Sequence, residues 1–541
     1  MNDNIISTLI NKIKNNGSLE EEIEQGAIEY KLRLDKMSNS SLKKIESQML
    51  WRINEGKIIY NIYKAYYVIG IHDNGQLGNI NSDIIENSIL VIKKICENAN
   101  LKVDYIFKYK YEKDCMIAII LIKKTINKHI PELNIFLLGN TNTNKTTLLG
   151  NLCYDSIDDN KGKSRLLILK HKHELSSGKS SSIHHEIIGI NDNKIINYRN
   201  SSLDFNNSWD KIFNKSDIIV NIFDSPGEQK YIKTTYSNFF NINPDYIFLF
   251  TNIDDIEDSI NEFINKLKLS LAMKKKIFII FTQSFKNENN TINILNSINK
   301  LQNNLITNNI IYNLCSFEEY EYDINTNNLY YIYVDTSDIS SFDKFKNILT
   351  NKIININEIK QNKSEEKDEV CFNIYETFDI PILNKNIIVS GKLISGKIDI
   401  NKEYYLNNSI IKVINIHNKN IDTDILLTGE TGCLEIYFVT QKVNINKFMT
   451  IYENPEYFKS IDIFKIIIEK NDTIFSISDE VYIYSKYFSN IFNCEKKEYE
   501  NFIELNIKSN KINFHIYNLL QNDLCFIKIN ENTYLVGRII Y

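Results

Sequence analysis

The spacing of apolar residues divides the chain into three stretches of different character. Leu42, Ile45, Met49 and Ile53 recur at helical spacing with charge between them, and residues 85–99 repeat that period. Residues 59–71 are aromatic and β-branched and read as a strand, ending at His72-Asp73-Asn74-Gly75, an Asn-Gly turn signal. Residues 105–110 and 116–122 read as further strands, so that residues 1–130, beginning with a polar arm, form an N-terminal α+β domain. After residue 131 the pattern becomes apolar strand, loop, helix, repeated. Residues 133–138, 218–223, 246–250, 276–282 and 330–334 are the strands, and residues 259–271 and 293–303 carry helical period between them. Apolar strands alternating with helices predict an α/β fold with a doubly wound parallel sheet over residues 131–358. Residues 359–369 are charged and read as a linker. Beyond them helix signals nearly vanish, and strand-length segments at 387–393, 410–416, 432–439, 464–469 and 525–529 predict two antiparallel β-barrels, residues 370–454 and 455–541.

Composition narrows the function classes. Of 541 residues, 43% are hydrophobic and 24% charged, which is globular; Gly 17 and Pro 5 are too few for a collagenous or Pro-rich chain. The net charge of -5 advertises no basic field, so DNA is not an expected partner. Eight scattered cysteines without a C-x-x-C pair argue against a disulfide framework or structural zinc and suit a reducing compartment. Residues 1–14 lack a continuous apolar core, and the longest apolar run, 116–122, is far short of a membrane span. The expectation is a cytoplasmic monomer without a membrane partner. An excess of Asn, Ile, Lys and Tyr runs through apolar and polar positions alike, as drift of the coding sequence would produce. Loops therefore carry Asn where another chain would use Gly.

Chemistry concentrates after two of the strands. The first runs into Gly139-Asn140-Thr141-Asn142-Thr143-Asn144-Lys145-Thr146-Thr147, a phosphate loop G-x-x-x-x-N-K-T whose second glycine is replaced. Such a loop wraps backbone N–H groups of Gly139, Asn142, Thr143, Asn144, Lys145, Thr146 and Thr147 around phosphate at a helix N-terminus. Lys145 reaches the β/γ-phosphates and the Thr146 hydroxyl reaches Mg²⁺. Asn144 stands where the backbone needs positive φ, which Asn tolerates better than most residues. The strand at 218–223 ends in Asp224-Ser225-Pro226-Gly227, a D-x-x-G in which Asp224 reaches Mg²⁺ through water and the Gly227 N–H meets the γ-phosphate.

The chain resembles the translational GTPases related to elongation factor Tu, and most of all the branch of GTP-binding proteins 1 and 2. Residues 26–32, 48–56 and 71–75 resemble that branch's N-terminal domain, 171–182 its switch I, 227–235 its switch II and 534–540 its final strand. The resemblance implies an N-terminal domain, a G domain and two β-barrels. It also implies GTP and Mg²⁺ as ligands and work with the ribosome, with tRNA or mRNA-surveillance factors as further partners. Carried over by position, Ser180 replaces the switch I Thr and keeps a hydroxyl for Mg²⁺, while Asn142 replaces the loop Asp. Glu228 occupies the place of the His that positions the attacking water. A carboxylate there opposes the transition state, and a raised pKa is what would rescue it. The base-recognition motif reads Thr282-Gln283-Ser284-Phe285, in which Phe285 cannot accept the guanine N1–H; the last motif reads Asp335-Thr336-Ser337. Two readings stand: a protein that binds GTP, or a less selective nucleoside triphosphate, and hydrolyses it slowly or not at all; or a nucleotide-independent pseudo-GTPase that binds the ribosome or a factor. His171, His173, His184 and His185 are expected in structural or surface roles, Lys274-Lys275-Lys276 as the solvated start of a strand, and Trp51 in a core.

Overall fold

A computed structural model describes the chain except residues 1–3, 36–38, 61–62, 100, 112–113, 125–128, 202–208, 255, 284–289, 309, 311, 318–327, 355–368, 379–385, 408, 420, 456–457, 470–476, 478, 486–488, 500, 516–522, 529–533 and 541. It divides into two compact units, Met1–Asn127 with Asn420–Asp424, and Lys128–Lys419 with Ile425–Tyr541.

In the first unit a four-stranded sheet runs in the order β1 (Ile28–Lys31), β2 (Lys64–Ile69), β4 (Met116–Lys123), β3 (Lys102–Lys110), with β1 parallel to β2 and the other pairs antiparallel. The helices Asn39–Tyr60 and Ser82–Asn98 cover one face: Ile45, Met49, Ile53, Ile85, Ile89 and Ile92 pack there on Tyr67, Ile69 and Ile120. Asn81 starts the second helix by accepting from the Ile84 N–H at 3.1 Å. Three expectations are corrected. The start is no polar arm but a helix, Asn4–Asn16, which buries Ile6, Leu9 and Ile13 against the other face of the sheet. Ile59 and Tyr60 close the helix before β2, and the strand begins only at Lys64, because β-branched residues on a helix's last turn mimic the strand pattern. Trp51 is 40% exposed, while its neighbour Arg52 is buried and ion-paired to Glu29 at 2.5 Å.

In the second unit an eight-stranded sheet follows the order β11 (Asn313–Ser316), β12 (Asn328–Val334), β10 (Lys276–Thr282), β9 (Tyr246–Asn252), β5 (Glu132–Gly139), β8 (Ile218–Asp224), β6 (His184–Asn191), β7 (Lys194–Ile196). The pairs from β11 to β8 are parallel; β6 joins β8 antiparallel, so the sheet is mixed at that edge. β5, β8 and β9 are buried along their whole lengths, as strands covered by helices on both faces must be. Two closed six-stranded antiparallel barrels follow. Around the first run Cys371–Phe378, Ile387–Ser395, Thr431–Phe438, Ser409–Asn418, Glu403–Leu406 and Thr450–Tyr452; around the second, Phe458–Glu469, Phe502–His515, Ser489–Glu498, Glu480–Tyr484, Asp523–Lys528 and Tyr534–Ile540.

Both barrels pack on the G domain within this unit. Tyr236 and Phe240 of the helix Ile232–Ile242 meet Tyr484 and Phe526 of the second barrel at ring-centroid distances of 5.7 and 5.0 Å. Glu132 of β5 and Lys419 form a buried pair at 2.9 Å, and Glu132 also accepts from Asn221 and Thr431, which satisfies the pair's remaining valences.

Candidate nucleotide and magnesium site

The site forms where β5 and β8 end. Residues 140–144 leave β5 and turn into the helix Lys145–Tyr154. Two residues of the turn have left-handed backbone, Asn142 at φ 60° and Asn144 at φ 55°. The Asn-rich drift thus supplies residues that accept positive φ, Asn144 at the position where the motif has its second glycine. The loop is tied on three sides: Asn252 Nδ2 donates to the Asn142 carbonyl at 3.3 Å, Thr282 Oγ1 to the Thr143 carbonyl at 3.2 Å, and Asn144 Nδ2 to the Gln283 carbonyl at 3.1 Å. Lys145 is buried, and its ammonium donates to the carbonyls of Gly139 and Asn140 at 3.0 and 2.6 Å and to Thr143 Oγ1 at 3.2 Å. Burial brings its pKa down to about 8 against the opposing pull of Asp224. Thr147 is buried at the helix start.

Three oxygen side chains from distant parts of the chain meet beside the loop. Thr146 Oγ1 lies 2.6 Å from Asp224 Oδ2 and 2.9 Å from Ser180 Oγ, and Ser180 Oγ lies 3.4 Å from the same carboxylate oxygen. Asp224 is fully buried, and its other oxygen, Oδ1, has no hydrogen-bond partner among the described residues. Burial raises the carboxyl's pKa, with Lys145 pulling the other way. Two hydroxyls and a carboxylate with a spare buried oxygen fit a hard divalent cation of the Mg²⁺ type. Gly227 presses on the loop: a Cβ there would come within 2.5 Å of the Asn140 carbonyl carbon and the Thr141 nitrogen, so only glycine fits.

Glu228 does not turn toward this oxygen cluster. Its carboxylate bonds Lys179 Nζ at 3.0 Å and Lys230 Nζ at 2.6 Å, the first of which bridges the segments 171–182 and 227–235. Hydrogen bonds from Lys230 and then Lys179 lower its pKa, so the raised pKa that would rescue a catalytic role is contradicted. At the other end of the loop, Gln283 is buried and its Oε1 accepts from the Tyr333 hydroxyl at 3.1 Å, while its Nε2 has no partner among the described residues. The Asp335 carboxylate turns back on its own segment and takes the N–H and hydroxyl of Ser337 at 2.8 and 2.6 Å. Ser284 and Phe285 lie outside the described residues.

Sequence reasoning missed Glu174. It is fully buried; its Oε1 accepts from the backbone and hydroxyl of Ser181, both at 2.7 Å, and from those of Ser182, both at 3.3 Å. Its Oε2 accepts from the His171 N–H at 3.3 Å and lies 3.4 Å from His184 Nε2. Burial alone would raise its pKa, but the Ser181 bonds and His184 hold it at about 2. Glu174 thereby pins the segment that carries Ser180. The only signal in sequence was an acid beside His171 and His173, which are exposed and stacked on each other with ring centroids 5.5 Å apart. His185 packs flat on Phe223, and burial brings its pKa down to about 3.

No protein-family model matches the chain. Over 279 residues, 50% of the chain, it is 30% identical to GTP-binding protein 2 of Mus musculus, and equally to that of Homo sapiens; the match covers 44% of those relatives. GTP-binding protein 1 of Xenopus laevis is 26% identical over 238 residues, 44% of this chain and 35% of the relative. The chain thus spans less than half the length of the curated relatives it matches. Among solved structures, the GTPase-like domain of S. cerevisiae Ski7 bound to GTP superposes with a TM-score of 0.56 at 15% identity, covering 76% of this chain and 97% of that one. Bacterial selenocysteine-specific elongation factor EF-Sec gives 0.52 at 13% identity, covering 75% and 58%. Both share the fold.

Proposed function

We propose that this chain, a member of the elongation factor Tu superfamily with GTP-binding proteins 1 and 2 as homologues, binds GTP or a less selective nucleoside triphosphate and turns it over slowly. The observation that carries the reading is the meeting of Thr146, Ser180 and Asp224 beside the phosphate loop, with one buried carboxylate oxygen left over. In this reading the loop amides and Lys145 hold the phosphates. Thr146, Ser180 and Asp224 would hold Mg²⁺. The ion would neutralise charge developing on the transferred phosphoryl group. Lys145 leaves the carbonyls of Gly139 and Asn140 to meet the anion.

Hydrolysis needs a group that orients water against the γ-phosphate. Glu228 is anionic and bound by two lysines, so it offers neither an imidazole nor a neutral acid there, which supports slow turnover. Base discrimination is weak in this reading, because Gln283 stands where the motif has its Lys and Asp335 is turned onto Ser337. The ribosome is the proposed partner and the cytosol the proposed compartment.

A second reading, a pseudo-GTPase held in one conformation, is favoured by Glu174 and by the Lys179–Glu228 pair, which order the switch-like segments by protein contacts alone. Calorimetry with GTP, GDP and ATP plus Mg²⁺ separates the two: saturable binding below millimolar supports the first, and none at millimolar sinks it. Sedimentation with ribosomes tests the role common to both. A protein that stays at the top of the gradient in every nucleotide state refutes it.

A further inference from the structure

The helix Ile256–Ala272 buries a lysine behind the phosphate loop. Lys266 follows Phe263 and Ile264 and precedes Leu267 and Ser270 on the buried side of the helix, and its side chain is only 3% exposed. Its ammonium donates to the side-chain oxygen of Asn140. The nearest carboxylate, Glu262, is 3.8 Å away and 41% exposed. A buried ammonium facing a neutral amide and one half-solvated carboxylate is under-compensated. Asn140 meanwhile gives its backbone carbonyl to Lys145 at 2.6 Å and to the Thr143 hydroxyl at 2.9 Å. One loop residue is therefore held between two lysines, one from each flanking helix, and a multiply charged anion is the compensation both lack.

We propose that Lys266 is a second cation of the phosphate loop, a positioning residue that clamps Asn140 and adds charge for a triphosphate held by Lys145. This rests on the phosphate-loop reading above. The groups facing Lys266 are Glu262 on its own helix, Lys145 on the helix after the loop, and Asn140. Burial lowers its pKa to about 8; Glu262 opposes this, and Lys145 adds a smaller downward push. A bound anion favours the protonated ammonium, so its contribution is present below pH 8 and fades as pH rises past it.

The test is calorimetry of the full chain with Mg²⁺ against GTP, ATP and inorganic tripolyphosphate, comparing wild type with Lys266→Met from pH 7 to 9.5. The expected result at pH 7 is a loss of roughly tenfold in affinity for all three ligands, with the GTP to ATP ratio unchanged. The advantage of wild type should shrink toward one as pH rises and Lys266 loses its proton. Equal affinities at pH 7 overturn the proposal alone. A deficit that stays constant with pH assigns a packing role and also overturns it. Failure of wild type to bind any of the three at millimolar overturns both this and the functional reading. Should Lys266→Met not fold, Lys266→Gln, which keeps an amide donor without charge, takes its place in the same comparison.

Discussion

The two ends of the phosphate loop differ in how much structure stands behind them. At the phosphate end, Thr146, Ser180 and Asp224 meet within 2.6 to 3.4 Å, Lys145 is held by three acceptors, and Glu174 pins the segment bearing Ser180. At the base end, the Gln283 side chain has one partner and a buried amide nitrogen without any among the described residues, and Asp335 serves its own turn. Phosphate binding draws on backbone groups and interchangeable hydroxyls, so Thr-to-Ser and Gly-to-Asn exchanges leave its geometry intact. In the base-recognition motif guanine selectivity hangs on one carboxylate, and at that position this sequence has Phe285.

The comparison can be broken or sharpened by substitution. Lys145→Ala should have the largest effect, at least a hundredfold loss of triphosphate affinity by calorimetry, because a charge-assisted contact disappears and the carbonyls of Gly139 and Asn140 lose their donor. An unchanged affinity would mean that nucleotide binds elsewhere or not at all. Glu174→Ala should lower stability by about 3 kcal/mol in urea unfolding, since it removes a buried carboxylate and strands several part-buried donors. Hydrogen exchange should then report loss of protection around residues 170–182. The carboxyl's pKa is depressed, so its contribution is fully present above its unfolded value near 4.5 and is lost as pH falls toward about 2. A wild-type stability that rises on acidification through that window would contradict the assignment.

Glu228→His should raise GTP turnover about tenfold at unchanged affinity, by exchanging a paired carboxylate for an imidazole that can orient water. The smallest effect belongs to the base end: Gln283→Ala should alter GTP and ATP affinities by less than roughly threefold, with their ratio near one. A strong GTP preference in wild type would show that the base end is better furnished than Gln283 and Asp335 suggest.

Much of the fold was legible because it follows local periodicity. The buried strands β5, β8, β9 and β10 stand within one or two residues of their apolar runs, and the two barrels follow from the loss of helical period after residue 370. The helix Asn4–Asn16 was less legible, its apolar residues being spaced among Asn and Lys that disguise an amphipathic stripe. The antiparallel strand β6, which lies between β8 and the edge strand β7, carried no signal of direction, since pairing sense is set by where the chain returns.

The candidate site divides along the same line. Lys145, Thr146, Asp224 and Gly227 were readable as motifs because the phosphate chemistry fixes residue type and spacing within short segments. Lys266 lies 126 positions from Asn140 and Lys419 lies 287 from Glu132, and no local pattern marks a charge whose partner is remote. Glu174 binds Ser181 and Ser182 only 7 and 8 positions away, but no regular period marks a carboxylate folded back onto its own loop. Sequence by itself determined the strand-and-helix order, the phosphate loop with its companion D-x-x-G, and the run Thr282-Gln283-Ser284-Phe285 after the strand that ends at Thr282. Only the tertiary structure decided which buried charges are compensated, that Glu228 is bound by Lys179 and Lys230, and that Ser180 is held beside Thr146 and Asp224. Those outcomes depend on distances and desolvation, which exist only once the chain has folded.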